Sequence, residues 1–293
     1  MEYKKPALTF EKQVALLAKR GLVIQDRDFA IATLRRISYY RLSAYCIPFQ
    51  SKKDCFKAGA TFEEVLSLYR FDHELRMLIF DALERIEVDI RTSLTYFLAH
   101  EFGAFGYLDK SNFHKGFRHD QWVAAVEEEI SRSKEIFITH FKAKYKKSKK
   151  FPIWMASEIF SFGRLSQLYS GLNYKHQKKI SYDYRVSKDV FGAWLHTLVY
   201  TRNICAHHAR LWNRGLAIQP TFPEKDPVWN TPFSINKNKI IAVLTIVHYL
   251  MKHLEGSDSI KTSLLGLQKS YPNVDFKRMG FPENWLEHGI WKL

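Results

Sequence analysis

The fold is decided by residues 61–103, "TFEEVLSLYRFDHELRMLIFDALERIEVDIRTSLTYFLAHEFG". Thr61 followed by Glu64 is the S/T-x-x-E box that satisfies free N–H groups at a helix start. Behind it Val65, Leu68, Leu75, Ile79, Leu83, Ile86, Ile90, Leu94 and Phe97 recur at three- and four-residue steps, which marks one buried helix face. The stretch therefore predicts a long helix with a core-facing stripe.

Reading outward from it, the period stays helical nearly everywhere. Thr9 can cap a helix that runs to the Lys-Arg-Gly stop at 19–21. Two shorter helices follow, from about Asp28 and from about Ser38, the second closed by Pro48. Residues 51–60, "SKKDCFKAGA", read as a connector. Downstream, a loop with Gly, Phe and His spans 103–119, and a helix runs from about Asp120 into the lysine-rich "FKAKYKKSKKFP". Pro152 can open the next helix at its first turn, with "SFG" at 161–163 as a bend. Ser187 caps the helix leading into "TRNICAHHARLWNR", residues 201–214. The four prolines of "RGLAIQPTFPEKDPVWNTPF" make a long loop. Residues 237–255 predict a last amphipathic helix ended by Gly256.

No alternating β pattern of useful length and no internal repeat interrupts this series, so the expected class is an all-α bundle. Its expected divisions are an N-terminal helical region (1–60), a main helical domain carrying the 201–214 motif (61–256), and a less regular C-terminal tail (257–293). With 293 residues, 46% hydrophobic and 15% aromatic, the chain can bury a sizeable core and is not a disordered one.

A formal charge of +15 suits a polyanion, either nucleic acid or an anionic membrane surface; a solvated basic surface explains the charge equally well. The most apolar run, "IIAVLTIVHYLM", is too short to span a bilayer, and "MEYKKPALTF" lacks the apolar core of a signal peptide. Three cysteines without a CxxC pair suit a reduced interior. The expectation is a cytoplasmic protein with no membrane role.

The chemistry-bearing groups gather in 201–214. His207 can move a proton near neutral pH. Arg202 can hold a phosphate in bidentate fashion and offset transition-state charge, and Asn203 can orient either. Five positions on a helix turn through about 500°, so Arg202 and His207 share no stripe and converge only at a terminal turn or across a cleft between two copies. The bland alternative is a polar helix end whose cations suit the dipole. Cys205 reads as a small buried cysteine rather than a nucleophile. A metal is not expected: there is no HExxH and no cysteine cluster.

"RNICAH" (202–207) resembles the R-N-x-x-x-H signature of HEPN-domain ribonucleases. With "ISYYRLSAY" (37–45), "FDHELR" (71–76), "IEVDIR" (86–91) and "SFGRLS" (161–166), the chain is similar, from about residue 10 to about 220, to abortive-infection proteins of the AbiD/AbiF kind. The resemblance implies a HEPN-type helical bundle acting in phage defence as a toxin-like endoribonuclease that needs neither metal nor cofactor. The substrate 2′-hydroxyl would attack its own phosphodiester, with His207 transferring protons, Arg202 clamping the phosphate, Asn203 positioning and His208 helping. In-line cleavage needs an acid and a base, and the chain holds one Arg-x4–6-His arrangement, so a homodimer is expected to complete the site. A structured noncoding RNA is a further partner the resemblance suggests. A non-catalytic RNA-binding protein is the alternative.

Two other sets are candidate RNA contacts. Lys142, Lys144, Lys146, Lys147, Lys149 and Lys150 surround Tyr145, a composition suited to phosphate contact and base stacking, or to a solvated helix end. Arg76 and Arg91 follow Asp72 and Glu87 by four residues, which predicts helix-surface ion pairs of about 0.2–0.5 kcal/mol. The resemblance adds that these helices line the cleft, so both arginines are expected near RNA.

Overall fold

The computed structural model describes Glu2 and residues 6–292; the opening decapeptide and the two outermost divisions of the sequence fall partly outside the described residues. Among the described residues the chain is all-α apart from one short hairpin and two isolated bridges, Val23–Thr61 and Phe113–Leu172. In order it forms α1 (Phe10–Lys19), α2 (Arg27–Ile37), α3 (Tyr39–Cys46), the antiparallel pair β1 (Gln50–Lys52) and β2 (Cys55–Phe56), then α4 (Phe62–Phe102). There follow α5 (His119–Arg132), α6 (Ile136–Lys144), α7 (Ile153–Ala156), α8 (Phe162–Gly171), α9 (Tyr174–Asp183) and α10 (Lys188–Ala206). The series ends with α11 (Ile240–Glu255), α12 (Ser259–Ser270) and α13 (Gly289–Lys292).

The axis of the molecule is α4, 41 residues long and opened by the Thr61–Glu64 capping box. Around it pack α3, α7, α8, α10, α11 and α12. Thr9, Asp26, Ser161 and Ser187 each accept an N–H at the start of their helices, which fixes where the chain turns inward. Gly256 ends α11 in the left-handed region.

Several expectations need correction. The helix expected from Asp120 into the lysines is two helices, because the chain turns extended at Ser133 before α6 begins. The "SFG" bend is a full break: Phe160 is extended and Ser161 caps a new helix. The connector 51–60 holds most of the hairpin. The helix expected to be amphipathic is buried all round over its first three turns, Ile240 to Met251 with Tyr249 half-buried, because α4, α10, α12 and α13 enclose it. The C-terminal stretch is core as well: Phe276, Phe281, Trp285 and Trp291 are buried, and the Trp291 indole donates to Thr245 Oγ1 at 3.1 Å. One apolar cluster runs from Val14 in α1 through α4 to Trp291, across all three expected divisions. No helix among the described residues is long and apolar enough to cross a membrane.

Candidate functional site

The site is built on the end of α10. Val190, Phe191, Trp194, Leu195, Leu198, Thr201, Ile204 and Cys205 bury one side of this helix, which leaves Asn203 exposed and Arg202 partly so. The helix stops at Ala206. His208 N donates to Cys205 O and Ala209 N to Ile204 O, both at 3.0 Å, with His208 at φ +54°. This is the two-bond Schellman closure, whose left-handed position glycine usually fills. An L-residue there costs roughly 1–2 kcal/mol. His207 is the last capping residue, and both histidine side chains face solvent. The motif therefore does end in a terminal turn, with His207 on it.

The segment after the histidines is held by a buried carboxylate. Asp72 is 0% exposed and accepts Leu211 N at 3.1 Å and Trp212 N at 2.5 Å, the Tyr45 hydroxyl at 2.6 Å, and the Arg76 guanidinium. Beside it burial, with the Asp72 charge second, raises the Tyr45 phenol above its ordinary range, so its proton stays on. Two arginines clamp the same stretch to α3: Arg41 Nη1 donates to His208 O, and Arg210 Nη1 to Ala44 O, each at 2.6 Å. The motif turn is thus gripped from α3 and α4 together. Arg76, expected near RNA, is 4% exposed and committed to Asp72; its pair lies in the core, not on the helix surface.

About 22 Å further along α4, fifteen residues at 1.5 Å each, a second network reaches the other end of the motif. Arg91 Nη2 bonds Glu87 at 2.8 Å and Phe160 O at 3.1 Å, while its Nη1 donates to Ser157 O and Glu158 O at 3.2 Å. Arg91, also expected at the RNA, instead ties down the break between α7 and α8. Arg202 Nε lies 3.9 Å from Glu87 Oε2. Burial raises the Glu87 carboxyl despite the pull of Arg202 and Arg91. Arg202 borders an open groove of about 310 Å³ whose other charged walls are Glu84, Glu87, Arg91 and Glu158. Arg202 and His207 are joined by no hydrogen bond.

Cys205 is buried, and burial pushes its thiol up to about 12, which removes it as a nucleophile. Among the described residues no three His, Cys, Asp or Glu side chains cluster as metal ligands would. The lysine run lies at the end of α6 and in the turn beyond it. Lys150 pairs with Glu127, Lys144 lies 5.4 Å over the Tyr145 ring, and Tyr145 packs on Phe141 while staying half exposed. Lys142, Lys146, Lys147 and Lys149 are exposed and make no ion pair among the described residues.

Sequence reasoning passed over Arg41, Tyr45 and Asp72 as parts of the site. The first two stand in "ISYYRLSAY" and the third in "FDHELR", but only the three-dimensional contacts show that these segments meet the histidine turn. The model of the family described as "Abi-like protein" matches residues 32–213, from within α2 to just past Trp212. No curated protein and no solved structure matches the chain.

Proposed function

We propose that this chain, which belongs to the Abi-like family, is an abortive-infection endoribonuclease of the HEPN type. The observation that supports the reading best is the solvent-facing His207–His208 turn, held at its carbonyl by Arg41 and followed by a segment anchored on buried Asp72, with Arg202 about one helical turn before it. Exposed histidines on a fixed turn suit proton transfer to a large substrate.

In the proposed reaction a histidine base takes the proton of the RNA 2′-hydroxyl. The 2′-oxygen then attacks phosphorus and the P–O5′ bond breaks. A second histidine returns a proton to the departing 5′-oxygen, leaving a 2′,3′-cyclic phosphate and a 5′-hydroxyl. Arg202 holds the nonbridging oxygens as charge builds on them, Asn203 orients the phosphate, and His208 assists His207. Attack and departure lie on opposite sides of phosphorus, and each chain has one such motif. A homodimer that faces two His207 side chains across one phosphate meets the requirement.

The test is cleavage of a mixed RNA pool in EDTA by the wild type and by His207→Ala, with end-group analysis. Cyclic-phosphate ends from the wild type alone are expected. RNA binding without cleavage by the dimer would favour the alternative, an RNA-binding protein whose motif grips phosphate without cutting it.

A further inference from the structure

The two ends of the motif differ in charge. On the Arg202 side the groove carries Glu84, Glu87 and Glu158, and Arg91 there is already bonded to Glu87 and to three carbonyls. A polyanion running along that groove would meet three carboxylates against two cations, Arg91 already bonded and Arg202 standing 3.9 Å from Glu87. On the His208 side stands α3, which presents no acid over its whole length.

Two side chains of α3 face outward there. Arg41 is exposed, and its Nη1 bond to His208 O at 2.6 Å fixes the guanidinium at the histidine turn. That bond uses one of five N–H donors, and the side chain forms no ion pair among the described residues, so the remaining donors are open to a phosphate. Tyr40 is 89% exposed, the most exposed large aromatic side chain among the described residues. Its ring is open to solvent and takes no part in the core. The platform is also rigid: Tyr45 to Asp72 and Arg210 to Ala44 O lock α3 against the turn.

We infer that Tyr40 and Arg41 form a single-stranded RNA subsite beside His207, in which Arg41 takes a phosphate flanking the scissile one and Tyr40 stacks on the adjoining base. RNA therefore crosses the motif from the α3 side rather than along the acid-lined groove. The inference rests on the ribonuclease reading and specifies where its substrate lies.

The experiment measures fluorescence anisotropy of a 5′-labelled single-stranded RNA 12-mer on His207→Ala chains, which leave the probe uncut. Tyr40→Ala, Tyr40→Phe and Arg41→Ala are added to that parent. Stacking on one base predicts roughly 5- to 150-fold weaker binding for Tyr40→Ala and near-parental binding for Tyr40→Phe. Arg41→Ala should weaken binding and lower the slope of log affinity against log salt by about 0.7, the value of one phosphate contact on a single strand. Unchanged affinity in Tyr40→Ala and Arg41→Ala, with the parent binding normally, would overturn the subsite and leave the pair to a protein contact. An equal loss in Tyr40→Phe would overturn the stacking role. A wild-type chain that neither binds nor cuts the 12-mer would instead bring down the ribonuclease reading, and the subsite with it.

Discussion

Replacing Asp72 by alanine tests whether the histidine turn is held from below. The carboxylate is fully buried and serves the Arg76 guanidinium, the Tyr45 hydroxyl and two backbone N–H groups at once. Breaking a buried ion pair by removing one partner costs about 3–5 kcal/mol, because the remaining charge is left without compensation. Each orphaned N–H that stays dry adds about 1–3 kcal/mol. The sum is at least about 5 kcal/mol, and at about 1.6 °C per kcal/mol for a chain of this length the midpoint falls by about 8 °C. A second variant, Asp72→Leu with Arg76→Met, removes both charges and keeps apolar volume. It leaves the two backbone N–H groups and the Tyr45 hydroxyl without their acceptor; the two N–H groups alone cost about 2–6 kcal/mol, or about 3–10 °C. Melting followed by circular dichroism measures these shifts, and amide exchange at Leu211 and Trp212 reports the turn itself. Both amides should lose protection in both variants, including the one that regains stability. An Asp72→Ala midpoint within about 2 °C of wild type, or unchanged exchange at these two amides, would refute the hub.

Three further outcomes are expected in other parts of the molecule. His208→Gly relieves an L-residue held at φ +54° and should raise stability by roughly 1 kcal/mol in the same melt; a simultaneous fall in cleavage would show that the imidazole itself assists. Changing Lys146, Lys147 and Lys149 together to glutamine should weaken RNA binding at low salt and lower the salt slope by at most about 2, since each phosphate contact accounts for about 0.7; no change would mean that the run is only a solvated helix end. His248 is buried against Trp291 at 4.5 Å, and its pKa is lowered to about 4, chiefly by burial. Its unfolded counterpart titrates near 6.5, so the unfolded state binds more protons between these values, and stability is lost as pH falls from about 6.5 to about 4. The variant His248→Phe keeps the stacked shape and should show a shallower decline of melting midpoint over that window, whereas parallel profiles would remove His248 as its cause.

Helix starts were legible because they depend on local chemistry. Thr9, Ser187 and the Thr61–Glu64 box are read from a few adjacent letters, and all three cap as expected. The stripe on α4 was legible for the same reason. Environment was not. Residues 237–255 carry two histidines and three lysines that suggest a polar face, yet the first three turns of α11 are enclosed because four helices converge on them. Past α12, Phe276 and Trp285 sit on single 3-10 turns, and such turns leave no period for a pattern to catch. Three acid-to-arginine pairs at i,i+4 lie along α4: Asp72–Arg76, Asp81–Arg85 and Glu87–Arg91. In sequence they are equivalent. In the fold the first is a buried hub, the second a surface pair, and the third braces a helix break, because α4 rotates each one toward a different neighbour.

The same distinction explains the site. Arg202, Asn203, His207 and His208 stand out as candidates in the sequence because a proton-transfer group beside phosphate-binding groups is a chemical pattern and because the segment resembles a known signature. The groups that hold them could not, since Asp72 meets Leu211 and Trp212 across about 140 residues of chain. A histidine kept in the left-handed region persists only where its surroundings over-determine it. Here they do: two backbone bonds close the turn, Arg41 takes the His208 carbonyl, and Asp72 takes the N–H groups of Leu211 and Trp212. The family match runs from residue 32 to residue 213. It therefore takes in α3 at one end and Trp212 at the other, both halves of the clamp, while α1 and α11–α13, which contribute to the core, lie outside it.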